Sequence, residues 1–279
     1  MTSGAAPLLP DRRIGSLPRP QGHLYYEVTG AGPVIVFLHG LGGNHLSWWQ
    51  QVAHFAPSHT CVTFAARGFA PSSPAPGGPD PREFAGDLEA LIEHLQLQDV
   101  ALVGQSMGGW GAMEYALAHP GRVRALVLAA TTGTIRLDRI GGAEQMRLAA
   151  WQADSTTTSA QLAKRRIHPA CGARMADEQP ALHLLYRHVD DMNATLDKAT
   201  LRERLGAYRT RAPADLTSLG CPLLFISGDE DIVIPPFAAD AIARAVPGAR
   251  VDHIADAGHS VYFERAARFN ALVERFLTA

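Results

Sequence analysis

Three features of this 279-residue chain predict an α/β fold with a mostly parallel central sheet, helices on both faces and a helical lid insertion. Unbroken apolar runs recur, among them Val34-Ile35-Val36-Phe37-Leu38 and Val100-Ala101-Leu102-Val103, as expected of strands buried on both faces. Helix-forming stretches alternate with these runs, which is the order that covers a parallel sheet. Between Gly133 and about Ala212 the strand signals stop, while a helical tendency persists through breaks at Gly141-Gly142, Pro169, Cys171-Gly172 and Pro180.

The elements follow in order. Residues 1–20 carry scattered prolines and only a short apolar patch, Ala5 to Leu9, and are expected to form a flexible tail or an edge extension. Leu24–Val28 reads as a strand, Thr29-Gly30-Ala31-Gly32-Pro33 as a turn, and Val34–Leu38 as the next strand. A glycine-rich loop, His39-Gly40-Leu41-Gly42-Gly43, leads to a helix over about Leu46–Phe55, and Cys61–Phe64 is again a strand. After a proline- and glycine-rich loop, Asp80 is placed to cap a helix with Pro81 in its first turn and Glu83 closing a capping box. Phe84, Leu88, Leu91, Ile92 and Leu95 then share one helical face. Strands follow at Val100–Val103 and Val123–Leu128, the second after a helix stopped by His119-Pro120-Gly121. Beyond the insertion, strands resume at Pro222–Ser227 and Val251–Ile254, and Tyr262, Ala266, Phe269, Val273 and Phe276 line one face of the last helix. The expected division is a tail over 1–20, an α/β core over 21–132 and 213–279, and a helical lid over 133–212.

Composition narrows the function. With 47% hydrophobic and 19% charged residues and a net charge of −2, the chain offers no reason to expect nucleic acid or an anionic membrane as partner. No apolar run is long enough to span a bilayer and no secretory signal is evident, so a cytoplasmic protein is expected. A homodimer is compatible with this composition. Cys61, Cys171 and Cys221 are too few and too dispersed for a zinc site or a disulfide framework, and the 12 histidines show no H-E-x-x-H spacing, so neither metal nor cofactor is expected.

The chemistry concentrates at Gly104-Gln105-Ser106-Met107-Gly108-Gly109. It is a G-x-S-x-G sequence between an apolar strand and a helix-forming run, the setting of a nucleophile elbow. A serine hydroxyl is a weak nucleophile near neutral pH and needs a base. His259, in Asp256-Ala257-Gly258-His259-Ser260, lies just after a strand and is the candidate base. Asp231, in Gly228-Asp229-Glu230-Asp231, also follows a strand and is the candidate acid, with Asp229 and Glu230 as rivals. The backbone amides of Met107 and Leu41 are the candidate oxyanion hole.

On these motifs, with Phe37-Leu38-His39-Gly40 and His119-Pro120-Gly121-Arg122-Val123, the chain resembles the α/β-hydrolase superfamily in its compact esterase, lactonase and carbon–carbon hydrolase branch. The resemblance covers roughly Val34–Ala130 and Cys221–Leu277. It implies a Ser106–Asp231–His259 triad in the usual chain order, with Asp231 favoured over Asp229, since Leu128-Ala129-Ala130-Thr131-Thr132 offers no acid at the alternative position. Ser106 disfavours the dehalogenases and epoxide hydrolases of this fold, which use an aspartate nucleophile. Ala65 stands where the family often has an aspartate before Arg67-Gly68, which removes one loop contact but leaves the triad untouched.

The implied reaction is hydrolysis of a small ester or lactone through an acyl-enzyme. The alternatives are carbon–carbon cleavage of a diketone-like keto acid, a ligand sensor with little turnover, and perhydrolase or cofactor-free oxygenase chemistry. His39, Trp110, Trp151, Arg166 and Tyr186 are candidates for the substrate pocket, and of Trp48-Trp49 at most one can face it. The arginines of the insertion, Arg165-Arg166, Arg187 and Arg209 to Arg211, read first as a solvated face. One that turned inward would favour a substrate carrying a carboxylate.

Overall fold

A computed structural model describes residues 10–279 of the chain. Eight strands form one sheet: β1 (Arg12–Arg19), β2 (Gly22–Thr29), β3 (Val34–Leu38), β4 (Thr60–Phe64), β5 (Val100–Gln105), β6 (Val123–Ala129), β7 (Leu223–Gly228) and β8 (Arg250–Ile254). Their order is β1-β2-β4-β3-β5-β6-β7-β8. The β1–β2 and β2–β4 pairs are antiparallel and the remaining pairs are parallel.

The apolar runs become strands because successive side chains point to opposite faces, so a run buried on both sides needs no polar residue. In β3, Ile35 and Phe37 enter the core on one face and Val36 and Leu38 the core on the other. Leu224 and Ile226 of β7 repeat the first pattern, and Leu223 and Phe225 the second. Each such side chain, fully buried, contributes about 1.5–3 kcal/mol.

Helices α1 (Trp49–Phe55), α2 (Phe84–His94) and α3 (Gly108–Ala118) lie between the strands of the first half. Helices α4 (Gly142–Lys164), α5 (Gly172–Glu178), α6 (Pro180–Asp191) and α7 (Lys198–Ala207) form the insertion between β6 and β7. Helices α8 (Phe237–Ala243), α9 (Val261–Glu264) and α10 (Ala266–Leu277) complete the chain. No helix among the described residues is long and apolar enough to cross a membrane.

Two local expectations are corrected. Residues 12–19, expected as a flexible tail or an edge extension, are not a tail but the edge strand β1; its eight residues pair with β2 in a regular antiparallel register. Only Leu17 of this strand is buried, so its apolar signal is weak and the backbone ladder holds it. The rest of the expected tail, residues 1–9, lies outside the described residues. At the start of α2, Asp80 does cap, accepting from the Arg82 amide at 3.0 Å, but Glu83 closes no capping box. Its carboxylate instead accepts from Arg67 at 2.6 Å. Arg67 also donates to Asp87 at 2.7 Å, which ties down the loop beside Ala65.

Candidate active site

The turn after β5 brings the chemistry to the carboxyl end of the sheet, where loops of a parallel sheet gather. Ser106 has φ +48°, a conformation that costs a non-glycine residue on the order of 1–3 kcal/mol. Surrounding bonds hold it there. The Ser106 amide donates to the Ala129 carbonyl at 3.0 Å, and its own carbonyl accepts from Thr131 Oγ1 at 2.8 Å and from the Gly109 amide at 2.9 Å. The flanking glycines are needed for close approach. A Cβ on Gly108 would lie 2.2 Å from the Leu38 carbonyl oxygen, and one on Gly104 2.8 Å from that of Gly108.

His259 follows β8 and Asp231 follows β7, and both side chains are buried. His259 Nδ1 lies 2.9 Å from Asp231 Oδ2. The other oxygen, Oδ1, accepts from the Val233 and Ile234 amides at 2.7 and 2.9 Å. The neighbouring acids turn elsewhere: Asp229 meets His253 at 2.6 Å, and Glu230 accepts from Arg174. Gln105, next to the serine, donates to the His259 carbonyl at 3.2 Å and ties the two loops together. Ser106 and His259 line one cavity. No hydrogen bond joins their side chains, and such bonds often tighten only in the substrate complex.

That cavity has a volume of about 460 Å³ and is bounded by Leu41 and Met107 on the core side and by Trp110, Leu205, Ile232 and Ile234 around its apolar wall. Among the described residues the amides of Leu41 and Met107 have no hydrogen-bond partner. Gly40 packs against the elbow so closely that a Cβ there would lie 2.1 Å from Gln105 Oε1.

The five expected pocket residues separate. Trp110 and Tyr186 line the cavity. His39 does not: it is buried, Nδ1 donates to the Gly40 carbonyl at 2.8 Å, and Nε2 accepts from the Ala66 amide at 3.0 Å. Burial lowers its pKa to about 4, so it stays neutral and braces the loop. Trp151, on α4, is also outside the cavity; its indole donates to the Asp231 carbonyl at 3.2 Å. Arg166 is exposed just past the end of α4 and does not reach the cavity. Of Trp48 and Trp49, the first is core and the second is 44% exposed. Cys61 and Cys171 are buried free thiols.

One contributor carries little signal in the sequence. Glu264 is buried on α9; its carboxylate accepts from the Gly258 amide at 2.9 Å and the Ser260 amide at 3.1 Å, on either side of His259. Burial raises its pKa to about 8, against those two hydrogen bonds. Its one sequence signal is an acid directly after the apolar run Val261-Tyr262-Phe263. Arg209, one of the insertion arginines read first as a solvated face, instead lines the cavity from the end of the insertion with its guanidinium 4.6 Å from the centre of the Trp110 ring.

The family profile described as "alpha/beta hydrolase fold" matches residues 33–266. The chain belongs to the α/β-hydrolase family. Among relatives of this hydrolase, the protein of Mycobacterium tuberculosis named "Putative non-heme bromoperoxidase BpoC" is 30% identical over 272 residues, covering 92% of this chain and 98% of that one. Among solved structures, Est816, described as an N-acyl homoserine lactone degrading enzyme, superposes with a TM-score of 0.74 at 27% identity, covering 94% of this chain and 100% of its own. The enol-lactonase of Burkholderia xenovorans LB400 superposes with a TM-score of 0.71 at 25% identity, covering 92% and 97%. The family match and these two lactone-acting neighbours support an enzyme.

Proposed function

We propose that this α/β-hydrolase is a serine hydrolase of carboxylic esters or lactones. The observation that carries the reading is the buried Asp231–His259 pair at 2.9 Å, whose histidine shares a cavity with a serine held at positive φ. In this reading Asp231 holds the ring with its proton on Nδ1, leaving Nε2 to take the Ser106 proton. The serine oxygen attacks the carbonyl carbon, and the amides of Leu41 and Met107 receive the oxyanion, each worth about 3–4 kcal/mol. His259 then protonates the leaving oxygen and activates the water that opens the acyl-enzyme. For a lactone, the leaving alcohol stays tethered to the acyl group through both steps, and a single hydroxy acid is released. Helices α4–α7 act as the lid that shapes the cavity.

The reading is tested by turnover of a panel of short esters and lactones. Steady turnover that falls by about 10⁴-fold or more in Ser106→Ala is expected. Turnover unaffected by that substitution would remove the serine from the mechanism.

The relative named as a bromoperoxidase favours a second reading of the same site, in which hydrogen peroxide replaces water as acyl acceptor and a peroxy acid leaves. Peroxide-dependent bromide oxidation in the presence of a simple carboxylic acid, lost in Ser106→Ala, would distinguish it.

A further inference from the structure

Arg209 lines the cavity that holds Ser106, and its position leaves a positive charge unanswered. Its Nη1 donates to Thr132 Oγ1 and to the Ile135 carbonyl at 3.1 Å, with a longer contact to the Gly133 carbonyl at 3.4 Å. One face of its planar guanidinium lies over the Trp110 ring. These neighbours are neutral, and no carboxylate among the described residues pairs with this guanidinium. The nearby Glu114 is taken by Arg211, at 2.7 and 3.0 Å. Desolvation lowers the Arg209 pKa to about 10, still charged at neutral pH. A largely desolvated cation normally has a counter-charge, because leaving it unpaired costs free energy.

The free edge of Arg209 suits a particular partner. Nε and Nη2 make no hydrogen bond among the described residues, yet neither is sealed from solvent space. Two adjacent N–H donors in one plane match the two oxygens of a carboxylate. The rest of the lining does not supply that group. Asp190 is the acid on this wall, and it is held by Lys198 at 2.6 Å and His168 at 3.6 Å. Arg202 adds a further cation at the rim, so the lining carries more positive than negative charge.

We infer that the substrate carries a carboxylate remote from its scissile carbonyl, and that the Nε/Nη2 edge of Arg209 binds it. This rests on the hydrolase reading for the reacting carbonyl, while the carboxylate site stands on Arg209 alone. The stem between the two groups lies against Trp110 and Leu205, which favours an apolar linker. The substrate class is therefore the half-esters or lactones of dicarboxylic acids, rather than neutral esters.

The test compares monoethyl succinate and monoethyl glutarate with neutral ethyl esters of the same chain length. Titration of released acid gives kcat/KM, and thermal shift on Ser106→Ala protein gives binding. Wild-type enzyme is expected to prefer the half-esters by about 10–100-fold, the size of a charge-assisted bidentate contact. In Arg209→Gln that preference should fall to near unity, and the half-esters should no longer stabilise the Ser106→Ala protein. Parity between acidic and neutral esters in the wild type overturns the inference, whether or not the variant folds. So does a preference that survives Arg209→Gln, or one that disappears in Arg202→Gln instead. Arg209-dependent binding without turnover would leave the carboxylate site standing and defeat the hydrolase reading. Turnover at parity would do the reverse.

Discussion

The Asp231 carboxylate gives one oxygen to His259 and the other to the Val233 and Ile234 amides, while Asp229 is half-exposed and paired with His253. Replacement of each by asparagine should therefore differ sharply. Asp231→Asn is expected to lower kcat by about 10³–10⁴-fold, because an amide no longer enforces the histidine tautomer. Asp229→Asn should change kcat by no more than a few-fold, as an exposed ion pair contributes little. Steady-state rates on one ester decide between them. Glu264 acts on the same histidine indirectly, by holding the amides on both sides of it. Its pKa, raised by burial to about 8 in the folded chain, lies above the usual glutamate value of about 4.3 in the unfolded one. The folded state then binds more protons between those limits, so this group's stabilisation is full at low pH and is lost as pH rises towards 8. Urea denaturation of wild type and Glu264→Gln at pH 5 and pH 8.5 should show a smaller loss across that interval in the variant. A difference in the opposite direction would refute this account of Glu264.

At the scale of elements, the β5–turn–α3 unit and the insertion behave differently. The turn is tight because backbone meets backbone: a Gly108 Cβ would press on the Leu38 carbonyl of β3, which has no flexible end to swing away. Gly108→Ala is expected to cost about 3 kcal/mol or more and to lower the melting temperature by several degrees. Thermal unfolding checks this, and an unchanged midpoint would show that the strand can yield. Helix α4, by contrast, is attached along a thin seam, with Leu148, Ser155 and Leu162 buried along otherwise largely exposed turns. A helix held by so few buried contacts should open well below the global unfolding free energy. Amide exchange is expected to be fast in α4 and slow in β5 and β6, and equal protection would contradict a movable lid.

Across the whole molecule, what was legible in the chain is what local chemistry dictates. Apolar or alternating stretches marked seven of the eight strands, and G-x-S-x-G between a strand and a helix placed Ser106 at the sheet end. The eighth strand, β1, gave no such signal, because backbone pairing with β2 carries it while most of its side chains face solvent. The cavity wall was harder to read, since it is assembled from distant segments. His39 precedes a glycine loop and looked like a pocket residue, yet its ring is consumed by two backbone groups. Arg166 and Arg209 are indistinguishable as arginines in a helical block, and only the packing against Trp110 turns Arg209 inward. In the proposed reaction the Ser106 hydroxyl, activated by His259, is the attacking group. Treatment of the folded protein with a fluorophosphonate, followed by peptide mass spectrometry, tests it most directly. A single phosphonyl adduct on Ser106 is expected, absent in Ser106→Ala and strongly slowed in His259→Ala. An active enzyme that hydrolyses esters while Ser106 remains unlabelled would contradict it.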